Sequence, residues 1–206
     1  MKHFIMSIIV VISTATAIWS QTQKHNDLYL SGGVGVPSSP EAFSKNWSSG
    51  YIVGGGVGIS FTKASTLIFL ADYGSFPTDN ENILNMFFGP SHSSASVSGG
   101  NISTLTISGN VKWPLFQYQM SAIPYIIAGV GYFSTSPNDM TVTGPNFTMT
   151  LSGKGKSAFF GSFGAGLDLA VSETANIFIE TRYLLALTSV DNTCYIPIKA
   201  GVRIGL

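Results

Sequence analysis

The chain has 206 residues, with ten Lys and Arg balanced by ten Asp and Glu for a formal net charge of zero; this length suits one domain once any leader is removed. Only 10% of residues are charged, against roughly 25% in ordinary soluble domains, and the mean hydropathy is +0.31. Gly, Ser, Thr and Asn stand in for the missing charge, a composition suited to exposing apolar side chains to something other than water, and neutrality offers nucleic acid no electrostatic hold.

The N-terminus opens with Lys2 and His3 and continues as an uncharged run from Phe4 to Trp19, centred on Ile8, Ile9, Val10, Val11 and Ile12. The run is short for a membrane-spanning helix. Its small-residue end, with cleavage after Ala17 or Ser20, reads as a secretory signal over residues 1–20. The domain then occupies residues 21–206.

Eight extended segments follow, approximately 26–36, 50–61, 65–76, 101–113, 122–133, 157–171, 175–187 and 194–206, with no convincing helix between them. Each is near or above the 9 to 11 residues that a tilted strand needs to cross a bilayer. The uncharged stretch 122–133 could suggest a helical hairpin. Pro124, Gly129 and Gly131 interrupt it, and Tyr125, Ile126, Ile127, Val130, Tyr132 and Phe133 favour strand.

Connections alternate between long loops rich in Ser, Asn, Gly and Pro (37–49, 77–100 and 134–156) and shorter ones, the topology of a transmembrane barrel. Both chain ends fall on the short-connection side.

Alternation separates two faces. In 175–187, Ile177, Ile179, Thr181, Tyr183 and Leu185 alternate with Asn176, Phe178, Glu180, Arg182 and Leu184. In 157–171, Phe159, Phe163, Ala165, Leu167 and Leu169 oppose Ser162, Gly164, Gly166 and Asp168, and in 101–113 Leu105, Ile107, Val111 and Trp113 oppose a row ending in Asn110 and Lys112. The charges inside strands are Asp72, Lys112, Asp168, Glu180, Arg182, Lys199 and Arg203. One Arg or Lys on a lipid face near midplane costs about 2–4 kcal/mol, and several would cancel the roughly 5–15 kcal/mol that stabilises a typical protein. They are therefore expected inside, as a paired lumenal network. Aromatics at segment ends (Tyr51, Phe61, Trp113, Phe116, Tyr183 and Tyr195) are expected to form interfacial belts, and the many strand glycines to make room for lumenal side chains.

The last eight residues, Lys199 to Leu206, place Ala200, Val202, Ile204 and Leu206 on one face and Lys199, Gly201, Arg203 and Gly205 on the other. The spacing of Lys199, Gly201, Ile204 and Leu206 resembles the C-terminal signal by which the barrel-assembly machinery takes up outer-membrane β-barrels, with Leu where Phe is commoner. Pro124-Tyr125-Ile126-Ile127-Ala128-Gly129-Val130-Gly131-Tyr132 resembles the P-Y-x-x-A-G-x-G-Y strand of the small OmpA/OmpX-like outer-membrane β-barrels. Gly164–Leu169 and Ile177–Tyr183 resemble their penultimate hairpin, which ends in E-x-R-Y. The likeness covers about the last 85 residues in motif and residues 26–206 in topology. It implies an all-β, eight-stranded, antiparallel up-and-down barrel, monomeric, embedded in the outer-membrane lipid of a Gram-negative-type bacterium. Its role would be structural and surface-displaying, with a possible extracellular partner at the loops; the alternative is a narrow pore for ions or small solutes.

Little points to catalysis, a cofactor or a metal. Gly153-Lys154-Gly155-Lys156-Ser157 lacks the first glycine of a phosphate-binding loop, since position 150 is Thr. Some eight-stranded barrels modify lipid through a His, but His92 lies in a loop among serines. Asp79, Asn80, Glu81 and Asn82 lack the spacing of a calcium loop and read as a solvated tip. Cys194 is the lone cysteine, so no intramolecular disulfide forms, and it reads as a packing residue. A secreted lipocalin-like binder, with charges outside and an apolar hollow within, is the contrasting soluble reading.

Overall fold

The computed structural model describes residues 26–62, 65–89, 95–116, 121–188 and 191–206. Residues 1–20, read above as an export signal, lie outside these, as does His92.

Eight long strands close into one antiparallel barrel: β1 (Asn26–Ser39), β2 (Gly50–Thr62), β3 (Ser65–Phe76), β5 (Ile102–Pro114), β6 (Ala122–Pro137), β9 (Lys156–Ala170), β10 (Ala175–Ala186) and β11 (Thr193–Gly205). Three short strands outside the wall, β4 (Ser96–Gly99), β7 (Met140–Gly144) and β8 (Phe147–Leu151), form a second sheet in the order β4-β7-β8. Consecutive wall strands are neighbours in the wall, and β1 pairs with β11 to close it, with Leu30 opposite Val202 and Asp27 opposite Gly205. Closure leaves no unpaired sheet edge, which a wall standing in hydrocarbon requires.

The period-two pattern sets what each face presents. Phe178, Glu180, Arg182, Leu184 and Ala186 of β10 are buried, while Ile177, Ile179 and Tyr183 on the same strand are exposed. Every charged residue within a barrel strand falls on the inward register, and the outward register carries exposed Leu30, Val57, Phe69, Ile107, Val130, Phe163 and Val202. A closed wall with apolar side chains outside and ions inside is inverted relative to a soluble domain. It is the arrangement of a transmembrane β-barrel.

Tyr51, Phe61, Trp113, Phe116 and Tyr183 are exposed, as interfacial aromatics must be, but Tyr195 is buried. Tyr195 shares parity with Lys199 and so points inward, where it stacks edge-on against Phe76 at 5.6 Å.

The long connections are not plain loops. Helix α1 (Glu41–Asn46) follows β1, and helix α2 (Asn80–Phe88) follows β3, where the sequence reading expects no helix. The run read as a solvated tip is the start of α2: Asp79 accepts a hydrogen bond from the Asn82 N–H at 3.1 Å, capping the helix. Gly89 ends it at φ 70°, a conformation that favours glycine.

Candidate functional site

Two layers fill the lumen. Around its ionic layer pack Tyr29, Ile68, Leu70, Tyr125, Ile127 and Phe178. Near the end that carries the last residues of β11, Arg203 lies 4.0 Å from Asp27 and 3.9 Å from Asp168. Asp168 also accepts from the Lys112 ammonium at 2.6 Å. That ammonium stands 3.8 Å from the centre of the Tyr125 ring, a cation–π contact in a dry setting. Further along, Glu180 accepts from Arg182 Nε at 2.6 Å and from the Tyr125 hydroxyl at 3.2 Å. Arg182 Nη1 donates to Asn110 Oδ1 at 2.7 Å, and Asn110 donates in turn to Ser108 Oγ at 2.9 Å. Lys199 donates to both oxygens of Asp72 at 3.0 and 3.1 Å.

The seven charges read from the sequence thus meet in one connected lumen, with an eighth among them. Asp27 lies outside that reading; it stands second in its strand, ahead of a glycine-rich run in which alternation is faint. It completes a set of four acids and four bases, each with an opposite charge within 4.0 Å. Such balance is what makes burial tolerable, since an unmatched ion here would cost several kcal/mol. Asn110 is legible in the sequence as a polar inward residue, but its bond to Arg182 depends on β5 and β10 facing each other across the lumen.

Glycines make this packing possible by close approach. A Cβ on Gly129 would collide with the Asn110 side chain, and one on Gly54 with the Asp72 carboxylate.

The second layer is apolar and lies toward the long-loop end. Ile52, Phe76, Phe133, Phe160, Leu184 and Tyr195 meet there, and α1 lowers Phe43 onto them, 5.5 Å from Phe76. Between and within the layers, the gaps among the described residues include a pair of about 10 Å³ each, room for roughly one water apiece. Eight strands leave a space that side chains fill.

Above this plug the long connections are stitched into one cap. The Asp79 N–H donates to Asn46 O at 2.8 Å, Asn82 Nδ2 to Lys45 O at 2.9 Å, and Trp47 Nε1 to Gly100 O at 2.8 Å. Strand β4 pairs with β7 to tie the next two connections together, and Phe88 of α2 stacks on Phe147 of β8 at 5.6 Å. The basic run 153–156 has no helix after it; its Gly153 N–H donates to Asp139 Oδ1 at 3.1 Å.

Solved structures place the architecture. Neisserial surface protein A is similar at a TM-score of 0.54 and 14% identity, over 90% of this chain and 98% of that one. The fold is that of an outer-membrane β-barrel. A major outer membrane protein from Thermus thermophilus is similar at a TM-score of 0.50 and 10% identity, over 88% of this chain and 99% of that one. No protein-family model matches the sequence, and no curated protein does. Within the barrel, Lys199, Gly201 and Ile204 occupy the strand that closes the wall against β1, with Ile204 outward and Lys199 and Gly201 inward, while Leu206 follows the last residue of that strand, exposed, with its N–H donated to Asn26 O at 2.8 Å. Cys194 is buried beside Tyr195 in the same strand, consistent with a packing role.

Proposed function

We propose that the protein is exported through residues 1–20 and placed by the barrel-assembly machinery in the outer membrane, where it serves as a monomeric structural and surface-display barrel. Residues Lys199, Gly201, Ile204 and Leu206 are the proposed assembly signal. One observation carries the reading: the lumen is filled by matched ions below an aromatic plug, while the extramural chain is built into a stitched cap. A filled lumen suits a scaffold, and an ordered cap suits presentation to an extracellular partner.

Two measurements test it. A tag inserted at Asn146, in the β7–β8 turn, should be reached by antibody on intact cells, and the protein should fractionate with the outer membrane. The refolded barrel should show no steady conductance in planar bilayers. Conductance that changes on neutralising Glu180 or Arg182 would replace the scaffold reading with a narrow pore; recovery of the protein in detergent-free buffer would overturn both.

A further inference from the structure

The cap does not close flat over the barrel. Between α1, the top of β6, the β7–β8 hairpin and the start of β9 lies a half-open cleft of about 370 Å³. That falls within the roughly 300–1,000 Å³ of ordinary small-molecule sites. Its walls are apolar, formed by Trp47, Phe133, Met140 and Leu151 among others. The indole N–H of Trp47 is already given to Gly100 O, so the ring offers the cleft only its apolar surface. At the rim stand Lys154 and Lys156. Among the described residues, neither has a carboxylate within ion-pair distance, whereas the lumenal cations are all matched.

A concave, mostly apolar lining with a few polar groups at hand is the make-up of a small-molecule site. From the two rim cations above an apolar slot, we infer that the cleft binds a single-chain anionic amphiphile, a medium-chain fatty acid, with its carboxylate at Lys154 and Lys156 and its alkyl chain along Trp47, Met140 and Leu151. The cleft is long enough in its apolar lining, from Trp47 to Met140 and Leu151, to take an alkyl chain. A neutral apolar ligand would leave both ammonium groups without a counter-charge. The inference deepens the surface-display reading and rests on it only for which way the cleft faces.

The test uses the full-length barrel in nanodiscs of zwitterionic phosphatidylcholine at pH 8, titrated with laurate while tryptophan fluorescence is read, with empty nanodiscs subtracted for partitioning. Saturable binding is expected. Hexanoate should bind more than about a hundredfold more weakly, because each methylene contributes about 0.8 kcal/mol. Lys154→Gln with Lys156→Gln should weaken laurate about tenfold, as two exposed ion pairs allow, and leave dodecanol unchanged. Met140→Trp should fill the slot and abolish binding, with folding of each variant checked by its heat-dependent gel shift. Equal affinity for laurate and dodecanol overturns the inference, as does a signal that survives in Met140→Trp. Either result would leave antibody access to the loops, and with it the display reading, untouched.

Discussion

Arg182 shows how little slack the lumen holds. Its guanidinium is committed to Glu180 and Asn110 at 2.6 and 2.7 Å, nearly out of contact with solvent. Replacing Arg182 by Met strands the Glu180 carboxylate, and loss of one partner from a buried pair costs about 3–5 kcal/mol. The expected outcome is a matching drop in urea-unfolding free energy in micelles. Replacing Glu180 by Gln in the same chain should recover a good part of it. A double variant no more stable than the single one would assign the cost to lost volume instead of uncompensated charge. Gly129 makes a second, steric prediction. Its missing Cβ is the space that Asn110 fills, with the Asn110 Cγ only 2.7 Å from where that carbon would sit. Gly129→Ala should destabilise the barrel by about 1–3 kcal/mol, as overpacking does, measured in the same unfolding assay.

Among the elements, the cap and the wall owe their order to different causes. Wall strands follow from alternation, a local property that needs only the pleat of the backbone. The sequence reading of 175–187 accordingly matches β10 almost residue for residue. Helix α1 has only six residues and no side-chain cap at its N-terminus. An isolated helix so short is unstable in water, and it exists because Phe43 finds Phe76 beneath it. That contact cannot be read from the local sequence. Helix α2 does leave signals, in Asp79 at its start and Gly89 at its end, though a polar stretch of Asn and Glu masks them. Asp79→Ala should cost about 0.5–2 kcal/mol of local stability. The expected result is faster proteolysis or amide exchange within 80–88, with the urea midpoint of the barrel unmoved. A shift in that midpoint would mean that cap and wall unfold as one unit.

Taken whole, the molecule is defined by inversion, and the inversion has a direct test. Ile179 is 51% exposed and its strand neighbour Glu180 is 4% exposed, pointing the other way. If lipid covers the outside, Ile179→Arg should cost about 2–4 kcal/mol near midplane. Measured by urea unfolding in bilayers, such a loss supports lipid at that surface. A neutral result would mean that water is there, and the transmembrane placement would fail.

The sequence by itself determined the number of barrel strands, their order and the inward turn of seven of the strand charges. Period two, scarce charge and strand length are written along the chain and need no partner to be read. Only the tertiary structure decided who meets whom. Asp27 reaches Arg203 because β1 closes against β11, Lys112 meets Asp168 across 56 positions of sequence, and Tyr195 turns from an expected belt residue into the plug. The cap is decided there as well, its short helix and narrow strands held by contacts between connections far apart in the chain. Alternation is a property of one strand, whereas pairing, plugging and capping depend on closure, which brings distant residues together only once the wall is complete.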